Sequence, residues 1–185
     1  MVEAGWHFAN LPYLQDPNVP AHETKGLSET WAILMYVAQK SGNKDLFPSI
    51  EQMVEYTELC GIVGDIKTWT TVPAYMVPNK EGFTAALTQK YEAWSNNKMK
   101  GIAERLEKNG PWFFGDQIKI LDFYFAEVLE MMFDHETELG VKGPSEYPIL
   151  RKYLDRFLAL DKIKAYRSSS KFVARPYNNY IAAWK

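Results

Sequence analysis

Apolar and polar positions follow two rhythms along this chain. A short apolar run, Leu11-Pro12-Tyr13-Leu14, meets the turn-forming residues Gln15-Asp16-Pro17-Asn18-Val19-Pro20, and residues 22–27 can return beside the first run. This pattern predicts a hairpin of two short strands. From Ser28 the period becomes helical, with Ala32, Ile33, Tyr36 and Val37 on one face. Ser28 is the expected N-cap, Glu29 places a carboxylate in the first turn, and Gly42 lies where a helix stops. Residues 41–48, rich in Gly, Asn, Lys, Asp and Pro, break the pattern. They divide an N-terminal piece over residues 1–42 from a second domain over residues 49–185.

Everything after the break reads as helical. Residues 50–71 form one long segment, where Gly61 and Gly64 suggest a bend or a close backbone approach. Residues 73–79 read as a loop. A second long helix is expected over residues 83–109, with Leu87, Tyr91, Trp94, Ile102 and Leu106 apolar. Residues 110–116 make a compact aromatic turn. Residues 120–135 are apolar nearly all round and predict the central buried helix. Two shorter helices follow over residues 148–159 and 162–168, and residues 169–185 form an aromatic tail. No internal repeat is present.

Composition narrows the function classes. At 185 residues and 46% hydrophobic, the chain can bury a sizeable core in one domain plus a fragment of another. Its 21 basic residues are scattered and the net charge is −2, so neither nucleic acid nor an acidic membrane surface is an expected partner. The single cysteine, Cys60, allows no intramolecular disulfide. That suits a reducing compartment, cytoplasmic or inside an intracellular assembly. The start carries no secretory leader pattern. No stretch is apolar enough to span a bilayer, since residues 118–133 contain Lys119, Asp122, Glu127 and Glu130.

Individual motifs carry little chemistry. His7, His22 and His135 are far apart and lack ligand spacing with Cys60, so no metal is expected. Glu127, Glu130 and Asp134 share one helix stripe, which reads as a solvated or interface face ahead of paired acid–base carboxylates. Cys60 sits among apolar residues and reads as packing. Leu11-Pro12 can hold a cis bond that turns neighbouring backbone groups toward an extended peptide; alone, a strand-opening proline explains it. Ser28-Glu29-Thr30 opens a helix whose N–H groups and Thr30 hydroxyl could hold a carboxylate; alone, capping explains it.

The ordered series says more than its parts. Phe8-Ala9-Asn10-Leu11-Pro12-Tyr13-Leu14, then Pro111-Trp112-Phe113-Phe114-Gly115-Asp116 with Asp122-Phe123, then Tyr147-Pro148, Arg156-Phe157, Lys171-Phe172-Val173-Ala174-Arg175-Pro176 and Trp184, resembles the mu class of glutathione transferases over nearly the whole chain. The resemblance implies a mainly α protein: a truncated thioredoxin-like ββα piece packed on the all-helical glutathione-transferase C-terminal domain. It implies glutathione as substrate and no metal.

By the same resemblance the Leu11 backbone, at the Leu11–Pro12 bond, pairs with the cysteinyl part of glutathione. Glu29, in place of the usual Gln, and Thr30 meet the γ-glutamyl carboxylate, and Asn10 lies beside the tripeptide. Asp65 reaches the neighbouring subunit's glutathione, and Tyr75 is the catalytic candidate that assists electrophilic substrates. Tyr177 and Asn179 border the second-substrate pocket, and Phe8 inserts into the other subunit of a homodimer.

Departures accompany the match. The family's thiol-activating tyrosine lies on a first strand that has no counterpart in this sequence. Met35 and Gln39 occupy positions of interface arginines, Lys119 replaces a Ser or Thr helix cap, and an insertion falls between Tyr75 and Trp112. The expectation is a glutathione transferase-like protein with lost or impaired catalysis. The alternatives are a non-catalytic subunit of a larger protein assembly and a weak binder of hydrophobic compounds.

Overall fold

A computed structural model describes residues 11–19, 26–175 and 177–185. The chain divides into two compact units, Met1–Phe47 and Pro48–Lys185. In the first, β1 (Tyr13–Gln15) pairs antiparallel with β2 (Gly26–Ser28), in the register Tyr13↔Ser28 and Gln15↔Gly26, and α1 spans Thr30–Ser41. The Leu11–Pro12 peptide bond is cis.

Asp16 organises the turn after β1. Its carboxylate accepts from the Asn18 N–H at 2.8 Å and from the Tyr36 hydroxyl of α1 at 2.7 Å, tying turn to helix. The expected N-cap moves by one residue. Glu29 caps α1 with φ 75°, no side-chain capping bond is made there, and the first turn holds no acidic residue. The backbone turns sharply from strand to helix at that point, so Ser28 stays with β2. Gly42 closes α1 in the left-handed conformation, φ 71°, as glycine readily does.

The second unit contains α2 (Met53–Thr71), α3 (Pro73–Met76), α4 (Lys80–Trp94), α5 (Lys100–Asn109), α6 (Ile120–Leu139), α7 (Pro148–Leu158) and α8 (Asp161–Arg167). Two expectations are corrected. The loop over residues 73–79 contains α3, because Pro73 falls at the first helical position, where its missing N–H costs nothing. The single helix over residues 83–109 is two helices joined by a π-helical turn, Ser95–Met99. A methyl group at Gly61 or Gly64 of α2 would meet nothing within 4 Å, so neither serves a close approach among the described residues.

Helix α6 is the centre of this unit. Leu121, Phe125, Leu129 and Met132 are fully buried. It lies against α2 and α7. The aromatic turn docks beside it: the Phe113 and Phe125 rings meet edge-on at 5.2 Å, and Trp112 meets Tyr153 of α7 at 5.4 Å. Lys119 offers no side-chain acceptor. The start of α6 is instead held by buried Asp122, which accepts from the Lys119 N–H at 2.7 Å, the Phe113 N–H at 3.2 Å and the Tyr153 hydroxyl at 2.8 Å.

Candidate functional site

The N-terminal unit gathers four of the expected residues. Because Tyr13 pairs with Ser28, the chain just before β1, Leu11-Pro12, runs beside the chain just after β2, Glu29-Thr30. Leu11 is 70% exposed. Glu29 is exposed and Thr30 half-buried at the first position of α1. The positive φ of Glu29 is unfavourable for a residue with a Cβ. Strained backbone of this kind tends to persist where surrounding structure fixes it. Asn10 and Phe8 lie outside the described residues. Met35 and Gln39 are exposed and border a shallow cavity with Ala32, Tyr36 and Phe47.

Two expected residues belong to the C-terminal unit. Asp65 of α2 forms an ion pair with Lys98 Nζ at 2.5 Å. Lys98 lies on the π-helical turn, and its ammonium also sits 4.9 Å from the Trp69 ring centroid. Tyr75 lies on α3, 43% exposed, and its hydroxyl accepts from the Asn179 N–H at 2.9 Å. Since the amide donates to that oxygen, the hydroxyl proton is not engaged by this bond.

The tail borders a cavity of about 350 Å³, within the range of small-molecule sites. Phe123, Phe157, Tyr166, Phe172 and Tyr177 line it, and the Arg167–Glu130 fork closes one wall with bonds of 2.7 and 3.0 Å. Tyr177 is among its lining residues, whereas Tyr75 and Asn179 are not.

The acidic stripe of α6 proves to be a set of internal partners. Glu127 pairs with Lys67 at 3.2 Å and Glu130 with Arg167. Asp134 accepts from the Tyr177 hydroxyl at 2.7 Å and pairs with Arg175 at 2.8 Å. Glu138 pairs with Arg175 as well. Burial pushes the Cys60 thiol up to about 11, which keeps it protonated and poorly nucleophilic at neutral pH. Among the described residues no cluster of three or more His, Cys, Asp or Glu could hold a metal, and no helix is long and apolar enough to cross a membrane.

Sequence reasoning missed Lys98 and the backbone of Asn179 as partners of Asp65 and Tyr75. Asn179 and Tyr75 are 104 positions apart, and Lys98 enters through a turn type without a sequence signature. Asp16 was legible in part, as Asp before Pro is a common turn opening.

Comparison with known proteins agrees with this architecture. The model of the family "Glutathione S-transferase, C-terminal domain" matches residues 68–170. Glutathione S-transferase Mu 1 of Homo sapiens is 32% identical over 97% of this chain and 74% of its own length. Glutathione S-transferase B of Cavia porcellus is 31% identical over 97% of this chain and 75% of its own. In three dimensions the crystal structure of the glutathione S-transferase Blo t 8 superposes with a TM-score of 0.75, at 20% identity, over 96% of this chain and 76% of that one. Fold, family model and relatives agree: the chain belongs to the glutathione transferase family.

Proposed function

We propose that the chain keeps part of a glutathione site at the junction of Leu11-Pro12 with Glu29-Thr30, and that the 185-residue polypeptide alone conjugates glutathione poorly or not at all. The observation that carries the binding half is the β1–β2 register, which brings the exposed Leu11-Pro12 segment beside a helix start. The Leu11 backbone would meet the cysteinyl residue, and the Thr30 hydroxyl with the first amides of α1 would hold the γ-glutamyl carboxylate. Asn10 would flank the peptide. Tyr75 would assist an electrophile by donating its hydroxyl proton. The reduced catalysis rests on the resemblance, which matches the family's thiol-activating tyrosine to none of the described residues.

A homodimer is part of this reading, with Phe8 inserting into the second copy and Asp65 turned toward that copy's glutathione. Asp65 would then share its carboxylate between Lys98 and the ligand. The competing reading is a non-catalytic interaction subunit. The exposed apolar side chains of the N-terminal unit, Leu11, Tyr13 and Val37, favour it.

Calorimetry of the 185-residue chain with glutathione, run beside a thiol-conjugation assay, separates these outcomes. Binding with little turnover, weakened by Thr30→Ala, is the expected result. Rapid turnover would overturn the claim of reduced catalysis. No binding would overturn the glutathione site and leave the interaction reading.

A further inference from the structure

We propose that His135 is a pH-sensitive latch for the C-terminal strap, residues 177–185, holding the strap down while its imidazole is neutral and releasing it on protonation. The proposal does not depend on the glutathione reading. The strap is anchored by Trp184. That indole meets the His135 ring at 4.4 Å, stacks on Tyr177 at 5.7 Å and on Phe83 at 6.0 Å, and is 5% exposed. Its Nε1–H donates to Glu138 at 3.0 Å, and the Asn178 carboxamide donates to its carbonyl at 3.1 Å. The Ala183 N–H donates to the Ala74 carbonyl at 2.6 Å. The same strap presents the Asn179 N–H to Tyr75.

His135 lies beneath this anchor with no exposed surface. Its Nδ1 is 2.9 Å from the Tyr91 hydroxyl, and its Nε2 has no partner among the described residues. On the strap itself, Asn178 Oδ1 is buried with no partner among the described residues. A neutral imidazole tolerates this arrangement, since one nitrogen is served by Tyr91. Protonation makes both nitrogens donors. Nδ1–H can still use the Tyr91 oxygen, but Nε2–H then carries positive charge among the Phe83, Tyr91 and Trp184 rings with no acceptor bonded to it among the described residues. Lifting the strap hydrates that nitrogen and removes the conflict.

The surrounding charges do not undo this. Asp134 and Glu138 on α6 favour the imidazolium, but both are already paired with Arg175, which opposes it. Tyr91 on α4 and Tyr177 on the strap are held above the ordinary phenol range and stay neutral. Burial is the largest influence and pushes the imidazole down to about 4 from 6.5. The sign follows: docking is complete above the free value and is lost as pH falls toward the docked one. In that interval each pH unit weakens docking by up to about tenfold.

Hydrogen exchange of the intact chain, corrected for the intrinsic pH dependence of exchange, tests the latch without any glutathione. Protection over residues 177–185 should fall by roughly tenfold or more between pH 6 and 4.5, while residues 120–132 of α6 stay protected. His135→Phe, which fills the cage without titrating, should keep the strap protected across that range. Should that variant fail to fold, imidazole nitrogen shifts of the unmodified chain give the same answer: His135 must titrate together with strap release. Strap protection persisting to pH 4, release at the same pH in H135F, or release while His135 stays neutral would each overturn the proposal.

Discussion

Asp122 shows how one buried side chain can replace a missing cap. It is fully buried, its carboxylate serves two backbone N–H groups and the Tyr153 hydroxyl, and the Lys119 side chain contributes no acceptor. Asp122→Ala would leave those donors unsatisfied in the interior, and a loss of about 3 kcal/mol or more is expected in urea unfolding. Burial pushes this carboxyl up to about 6 from 3.8. Its folded value is raised, so its contribution is full below the unfolded value and lost as pH rises through the folded one. The cost of Asp122→Asn should therefore be smaller at pH 7 than at pH 4.5. His135 titrates in both proteins and cancels from the comparison. Equal costs at the two pH values would refute the shift. Glu29 supplies a second test at this scale. Its φ of 75° disfavours any residue with a Cβ. Glu29→Gly should exceed Glu29→Ala in stability by about 1 kcal/mol in thermal or urea unfolding, because glycine adopts that φ without the clash of a Cβ. If Glu29 also holds the γ-glutamyl carboxylate, both variants bind glutathione less well, which separates strain from function.

Among the elements, α8 depends most on side-chain ties. It is seven residues long and has no buried residue. Its firmest attachment is the Arg167–Glu130 fork to α6, supported by the Arg167 guanidinium 4.5 Å from the Phe172 ring. Arg167→Ala should cost about 1 kcal/mol overall, because the pair is partly exposed, yet speed amide exchange across residues 161–167 well beyond that in α6. Uniform exchange changes in both helices would count against a local tie. The long helices were legible in advance because their burial follows the 3.6-residue period: α6 extends four residues past the expected end at 135, reaching the left-handed Gly140. The elements that differed have no periodic signal. Helix α3 is a single turn started by Pro73, and the π-helical turn Ser95–Met99 keeps helical composition while changing the hydrogen-bonding step. At the site, Leu11-Pro12, Glu29 and Thr30 were readable as a local sequence order. The ties of Asp65 to Lys98 and of Tyr75 to the Asn179 amide join distant segments, and no local pattern encodes them.

At the scale of the whole molecule the core is unevenly shared. Of the buried apolar residues among the described ones, Val19, Tyr36 and Ala38 belong to the unit Met1–Phe47, and the others, including Phe83, Tyr91, Phe113, Phe125, Leu129 and Tyr153, belong to Pro48–Lys185. A two-stranded hairpin is marginal by itself, and the described part of this unit has two three-residue strands and one longer helix. The helical unit has a continuous aromatic and aliphatic centre around α6, in the size range of independently folding domains. Residues 48–185 expressed alone should therefore unfold in one cooperative transition, with near-ultraviolet circular dichroism from the packed rings around Phe113 and Tyr153. Residues 1–47 alone should show neither. In the full chain, Tyr36→Phe removes the hydroxyl that donates to Asp16 at 2.7 Å, the tie between turn and helix. It should loosen exchange over residues 13–19 and 30–41 while leaving α6 unchanged. Cooperative loss across both units in that variant would mean that the chain folds as one body and that the division after Phe47 is geometric only.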